Sequence, residues 1–468
     1  MKINIFLIAL LILLLALKLS ASNLPLSRST TAYEPGYSDS PGDAPPGVLP
    51  PGGRAARNMA KGLLPAGNEK YPLKRKRPYI PPTFDSARLK NHISALAGPA
   101  VKGRGPGEAG LDLAAVYVAN QFLELELRPF ESKNLMHSFE GKIEGRVYHL
   151  RNVIGKLSGT DPRLAGEYVV ISAHYDHLPA KNSAVYPGAN DNASGVALLV
   201  ELAGYFSKHR PQRSLIFAAF SGEEEGRLGS RDFTAKLSPA GLAAVNAAVN
   251  LDTVGTMDGN KLIVVNAESS DAWPGLLSAA SLATGVTAEI AMRDLDSSDQ
   301  VSFIEKGIPA VQLFTPPGTD YHQPSDTADK LNIEGIGRTG EFSRELVNRL
   351  AGKDAFLPRR KVHEAPEEKP GGTDAPVRRT ARAGFTPDFT WQGKGVRIAE
   401  VSPYGPLAKL GVKAGEILIR LDGTEIPGLR QYAQELKKRA PGDIVELILL
   451  NGGAERAVKI TLEEQEKK

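Results

Sequence analysis

Four short apolar runs in the middle of the chain, each stopping at a polar cluster, restrict the fold more than any other feature. Residues 168–172 (YVVIS) lead into His174, 214–220 (SLIFAAF) into Ser221, Gly222 and Glu223, and 247–251 (AAVNL) into Asp252. The fourth, 310–314 (AVQLF), enters a Pro- and Gly-rich loop that carries His322. Continuous apolar runs of this length read as strands buried on both faces. Between them the apolar spacing lengthens to three and four residues. Leu111, Ala115, Val118, Phe122 and Leu125 mark one helix, and Val196, Leu199, Val200, Ala203 and Phe206 a second that begins after Asp191 and Asn192. Phe342, Leu346, Val347 and Leu350 mark a closing helix. Strands alternating with amphipathic helices predict an α/β domain with a mostly parallel sheet flanked by helices.

In open α/β sheets ligands bind beyond the carboxyl ends of the strands. His174, Glu223, Glu224 and Asp252 fall there, Asp191 lies in the GANDNASG loop (188–195) that opens a helix, and His322 follows the last strand. Each has an ordinary structural use when taken alone: a histidine packed at a strand end, a solvated run of glutamates, an aspartate N-cap. Their shared position at one sheet edge is what argues for chemistry. Five of them can act as ligands while one is left for acid-base work, and two histidines with three carboxylates suit a hydrolytic zinc site of the two-metal type, one carboxylate bridging the ions.

Composition removes competing classes. The chain has no cysteine, which excludes disulfides, thiolate metal sites and cysteine nucleophiles. A formal net charge of +4 over 468 residues excludes a dedicated nucleic-acid binder. At the start, Lys2 precedes an apolar run from Ile5 to Leu17 and the small residues Ser20, Ala21 and Ser22, the layout of a secretory signal peptide over residues 1–22. The run is shorter than the ~20 residues of a spanning helix, so the expectation is an exported protein with no stable membrane span after cleavage, an uncleaved anchor being the alternative. Export without cysteine points to a bacterial periplasm or extracellular space. Residues 23–82 hold 12 Pro and 7 Gly and read as an extended linker containing the basic cluster Lys74, Arg75, Lys76 and Arg77. A second linker is expected over 353–383, so the chain divides into a block at 84–352 and a C-terminal block at 384–465.

The large block resembles the co-catalytic di-zinc aminopeptidases, relatives of the glutamate-carboxypeptidase-type and glutaminyl-cyclase-type proteins. The likeness rests on AHYDHL (173–178), GANDNASG, FSGEEEGRLGS (220–230), NLDTVG (250–255) and YHQPSDT (321–327). It implies a zinc-exopeptidase-type fold in which Asp191 bridges two Zn2+ ions, His174 and Asp252 complete one, and Glu224 and His322 the other; other divalent ions fit the same donors. It also implies that Glu223 is the general base, that Asp176 holds the His174 ring, that Tyr321 donates to the tetrahedral oxyanion, and that the Asp191–Asn192 bond is cis. His177 has no ligand counterpart in the family and is expected to be structural. Ser298, Asp299 and Gln300 stand where many members have Ser-Asp-His, which puts the substrate pocket wall in question. Two cations lower the pKa of a bound water to give a metal-bound hydroxide and polarise the scissile carbonyl. The activity implied is hydrolysis of N-terminal peptide bonds in peptides or proteins.

The C-terminal block resembles a PDZ domain, a small β-sandwich or barrel-like fold, through KGVRIAEVSPYGPLAKLGVKAGEILIRLDG (394–423), QYAQELKKR (431–439) and VELILL (445–450). Gly411, Gly415, Asp422 and Gly423 mark its turns, and Gly384 with Phe385 its carboxylate-binding loop. The resemblance implies a C-terminal peptide as ligand. Two other readings compete with the peptidase: a glutaminyl-cyclase-type acyltransferase with a single zinc, and a non-catalytic protein that only binds peptide ends.

Overall fold

The computed structural model describes residues 83–464 apart from 292–297, 317, 319, 354, 356, 360–380, 389–390, 392 and 403–404. The expected signal segment, the 23–82 linker with its basic cluster, and residues 360–380 of the second linker lie outside the described residues. Among the described residues no helix is long and apolar enough to cross a membrane.

Nine strands of the large block form one sheet: β1 (Arg128–Pro129), β2 (Met136–Ile143), β3 (Arg146–Leu157), β4 (Tyr168–His174), β5 (Ser214–Phe220), β6 (Val245–Leu251), β7 (Lys261–Val265), β8 (Thr287–Ala291) and β9 (Ala310–Phe314). Their order is β1-β3-β5-β4-β6-β9-β7-β8, with β2 paired to β3. Only the centre matches the expectation of a mostly parallel sheet. Strands β5, β4, β6 and β9 run parallel, whereas β3 meets β5, and β7 meets β9, antiparallel, so the sheet is mixed. The reasons are local. No helix lies in residues 158–167 between β3 and β4, too short a link for a crossover, so β3 runs opposite to the parallel centre, while Glu144 and Gly145, both at positive φ (46° and 81°), close a two-residue hairpin that adds β2 to β3. The nine residues between β6 and β7 are too few for a crossover helix, so β7 runs back against the parallel centre.

Side chains alternate across the strands, and each face is covered. Val169, Ile171, Leu215, Phe217, Ala247 and Val249 face one layer built from α1 (Ser86–Ala97), α2 (Ala109–Glu124), α3 (Gly195–Lys208), α6 (Trp273–Thr284) and α8 (Ile333–Leu350). Val170, Ile216, Ala218 and Ala248 face the other, with Phe233 of α4 (Leu228–Lys236) and Phe303 of α7 (Gln300–Ile304). A short α5 (Pro239–Ala244) precedes β6. The spacing read for α2, α3 and α8 is the buried face of each, except that Leu125 caps α2 and is only half-buried. Complete burial of one such Leu or Phe contributes about 1.5–3 kcal/mol, so these three helices hold the sheet in place.

The C-terminal block has its own core, in which Val396, Ile398, Leu418, Leu421, Leu436, Leu447 and Leu449 are buried together. Strands β11 (Phe385–Pro387), β12 (Val396–Val401), β13 (Ile417–Leu421), β15 (Ile444–Asn451) and β16 (Ala454–Thr461) pair in that order, all antiparallel, with β14 (Thr424–Glu425) beside β13. The ribbon of β10 (Ala381–Arg382) and β17 (Glu463–Glu464) ties the start of this block to its end. Helices α9 (Pro406–Lys409) and α10 (Leu429–Lys437) complete it. Gly411, Gly415, Asp422 and Gly423 all take positive φ, as their reading as turns requires.

The chain does not leave the large block at residue 353. Leu357 is 2% exposed, Ser270 Oγ donates to the Pro358 carbonyl at 2.9 Å, and Arg359 Nη2 donates to the carbonyls of Leu242 (2.6 Å) and Val245 (2.8 Å). A chain cut after Leu350 therefore loses a buried leucine and several hydrogen bonds that a chain cut after Arg359 keeps, on the order of 3 kcal/mol. Thermal unfolding of the two truncations should differ by several degrees in favour of the longer one; equal Tm values would show that the docked tail is dispensable.

Candidate metal centre

The parallel register sets the site. Pairing of His174 with Phe220, and of Ser172 with Asn250, brings His174, the turn after β5 and Asp252 to one level at the sheet's carboxyl edge. Gly222, at φ 74°, turns the chain there, and its missing Cβ avoids Leu150 and Leu228 at 3.1–3.2 Å. Asp176 takes the backbone N–H groups of Glu223 and Glu224 on its two oxygens, at 3.2 and 3.1 Å. Its Oδ1 is 3.7 Å from His174 Nδ1, whose nearer contact is the Asp176 carbonyl at 3.3 Å. Asp176 thus grips the acidic turn at least as firmly as it holds the histidine.

The 188–195 loop is fastened on both sides. Asp326 accepts the N–H groups of Asn190 (2.8 Å) and Asp191 (3.1 Å). Asn192 donates to the Leu251 carbonyl (2.9 Å) and accepts from Thr253 N (3.3 Å), while Gly255 N donates to Asn190 Oδ1 (2.8 Å). The Asp191–Asn192 bond is cis, as the resemblance implied. Behind the loop lies Arg104, wholly buried, donating to the carbonyls of Leu96, Tyr175, Pro187 and Gly188 at 2.7–2.9 Å. Burial pulls its guanidinium down to about 10, so it stays charged at neutral pH.

Asp191 is 3% exposed and faces two donor groups with different oxygens. Oδ1 is 3.3 Å from His174 Nε2, which lies 3.3 Å from Asp252 Oδ1. Oδ2 is 2.8 Å from His322 Nε2, which lies 3.4 Å from Glu224 Oε1. His177 enters this second group: its Nδ1 is 3.0 Å from Glu224 Oε1 and 3.9 Å from Asp191 Oδ2. The structure therefore brings together the five residues expected as ligands and adds a sixth that the sequence pattern assigned to packing. His322 is aimed inward from a left-handed backbone (φ 58°), and the Tyr321 ring stacks on it at 3.7 Å.

The electrostatics suit cations. Burial and Glu224 push the Asp191 carboxyl up, yet His174 and His322 outweigh them and leave it well below the usual carboxylate range. Burial pulls His174 down, but Asp252, Asp176 and Asp191 together hold it well above its ordinary value. His322 is raised in the same way, burial being outweighed by Glu224 and Asp191. Asp191 Oδ2 and His322 Nε2 approach to 2.8 Å without the alignment of a hydrogen bond and have no other hydrogen-bond partner, and a divalent ion held by such N and O donors would satisfy both.

Gln300 is wholly buried and bonds to Asn250, Asn266 and Gln312 at 2.9–3.3 Å, so it braces β6, β7 and β9 from within the core. Asp299 is also wholly buried, and burial pushes its carboxyl up to about 7, with only partial relief from His174 and Ser230. A carboxyl whose folded pKa is raised binds its proton more tightly when folded, so stability falls as pH rises from about 4 through 7. In Asp299→Asn this loss is absent. Its Tm should gain on the parent's between pH 5 and 8, and a constant difference across that range would show that Asp299 does not titrate there.

A 198-residue segment is 30% identical to Aminopeptidase YwaD of Bacillus subtilis (strain 168), covering 40% of this chain and 42% of that relative, so the chain spans about two fifths of its length. Among solved structures, an aminopeptidase from Aneurinibacillus sp. strain AM-1 aligns with TM-score 0.49 at 19% identity, over 59% of this chain and 96% of that one. Porphyromonas gingivalis glutaminyl cyclase aligns with TM-score 0.48 at 19% identity, over 57% and 99%. Residues 152–347, which carry every donor described above, match Peptidase family M28.

Proposed function

We propose that the chain is an exported metallo-aminopeptidase of the di-zinc type. The observation that carries the reading is Asp191, whose two oxygens face separate buried donor groups, His174 with Asp252 and His322 with Glu224. Two zinc ions bound there would polarise the scissile carbonyl and acidify a water. The remaining steps belong to the protein. Glu223, 7% exposed and fixed through its backbone N–H by Asp176, takes the proton from the attacking water and passes it to the leaving amine. Tyr321 beside His322 donates a hydrogen bond to the tetrahedral oxyanion. Burial of the donors excludes bulk water and strengthens each of these interactions.

Substrates are peptides or proteins with free N-termini. In the C-terminal block, β11 ends the sheet, and the Phe385 ring stacks on Tyr432 of α10 at 5.3 Å. A peptide C-terminus adding as a further strand beside β11, in the manner of PDZ domains, would concentrate long substrates.

Purified full-length protein should carry two zinc ions per chain and release the N-terminal residue from unblocked peptides. Glu223→Gln should keep both ions and lose about 10²–10⁴-fold in kcat, because only the proton acceptor is removed. Asp191→Ala should lower occupancy of both ions together. Near-normal turnover of Glu223→Gln removes the base assignment, and pyroglutamate formation from glutaminyl peptides in place of hydrolysis overturns the peptidase reading.

A further inference from the structure

Strand β3 is longer than its partner in the sheet requires. Val153 to Leu157 pair with β5, but the first half of β3 runs on past the carboxyl end of β5 with only β2 beside it. The two-residue turn at Glu144 and Gly145 makes Ile143 and Arg146 a hydrogen-bonded pair, so Arg146, Tyr148, Leu150 and Asn152 give their backbone groups to β2. Val147, His149 and Arg151 therefore turn theirs to the opposite side, and the Arg151 carbonyl accepts the Tyr175 hydroxyl there at 2.5 Å. Gly222, at φ 74°, turns the chain that follows β5 away, and among the described residues no strand lies on that side of Val147 and His149.

This open edge begins at the metal centre. Tyr175, which reaches Arg151, stands between His174 and Asp176 in the chain. The Asn152 side chain accepts the Ser221 N–H at 3.2 Å and donates to the Gly229 carbonyl at 2.9 Å, so it fastens β3 to both ends of the acidic turn. Gly222 within that turn lies so close to Leu150 that a Cβ there would come within 3.1 Å of it. From Arg151 the strand leads outward, which puts His149 about 7 Å and Val147 about 14 Å farther from the centre. Both are exposed.

We infer that this edge of β3 docks the backbone of the peptide substrate, whose residues beyond the scissile bond add to β3 as an antiparallel strand. The direction follows from placement: the substrate N-terminus sits at the centre and its chain runs outward, whereas β3 runs inward from Arg146 to Asn152. One substrate residue exchanges N–H and C=O with His149, and the residue two positions farther on does so with Val147. The inference rests on the peptidase reading above and adds a substrate class to it, extended peptides of several residues held through their main chain.

Rates of the full-length, zinc-loaded parent test this edge. Along a ladder from dipeptide to octapeptide, kcat/KM should climb about 10-fold and level off once the chain has passed Val147. In the octapeptide, replacing one amide N–H at a time by an ester oxygen should lower kcat/KM about 2–10-fold at two positions separated by one insensitive position. A rate independent of length, or ester losses that do not alternate, overturns the proposal. His149→Pro removes a donor that faces away from β2, as proline on a sheet edge does. It should cut kcat/KM several-fold for the octapeptide and leave a small aminoacyl chromogen unchanged; the parent series decides the question even where that variant folds poorly. A concentration-dependent dimer that His149→Pro abolishes, together with a flat ladder, assigns the edge to a second copy of the chain and overturns substrate docking. Failure to release the N-terminal residue from any peptide defeats the peptidase reading itself, while hydrolysis at a length-independent rate defeats only the role of β3.

Discussion

A carboxylate buried among other carboxylates is unfavourable unless positive charge accompanies it, and the large block is organised around meeting that condition at Asp191. Its loop cannot drift. Asp326 holds the N–H groups at its start, Asn192 and Asn190 bond it to the segment after β6, and Arg104 gathers the carbonyls on the far side. The Arg104 guanidinium also reaches the Tyr175 carbonyl, next to His174. One buried cation therefore ties the strand end that carries His174 to the loop that carries Asp191. In a low-dielectric interior a ladder of this kind fixes side-chain positions to within the tolerance that metal coordination demands.

The sheet explains why those segments can meet. Parallel neighbours present the same end to the same side, so β4, β5 and β6 deliver His174, the acidic turn and Asp252 together without any long excursion of the chain. The antiparallel strands outside this centre serve differently: they extend the apolar layers and seal the edges. That division could not be read from apolar content alone, because β7 (KLIVV) is as apolar in sequence as the strands that run parallel. Direction is decided by connection length: the helix-free links 158–167 and 252–260 turn β3 and β7 against the centre.

The strands and helices of the large block were legible because their burial is periodic and nearly complete; residues 214–220 and 310–314 are strands to the residue. The expected ligands were legible for a different reason, since all but Asp191 follow a buried run, Asp191 lies in the GANDNASG loop that opens a helix, and each carries a side chain that an apolar core would not retain unpaired. His177 was not, because it lies three residues beyond the strand that ends at His174, and only the fold back of the chain toward Glu224 gives it a partner. Asp326 and Arg104 were hidden likewise. Both act on backbone groups distant in sequence, and bonds to backbone leave no trace in the pattern of side chains. Gln300 shows the converse: a motif position expected at the pocket wall is buried in a network of amides.

Asp176 links the His174 ring to the acidic turn after β5. Its carboxylate holds the backbone N–H groups of Glu223 and Glu224, so the two glutamates are set by one group. The same carboxylate lies within 3.7 Å of the His174 ring on the other side of the centre. A rotation of Asp176 would disturb His174, Glu223 and Glu224 together. Such coupling makes the site rigid and leaves freedom to vary in loops whose backbone the centre does not touch. The docked tail from Leu357 to Arg359 and the separate core of the C-terminal block fit that division, since neither contributes a donor to the centre and each is held by contacts of its own.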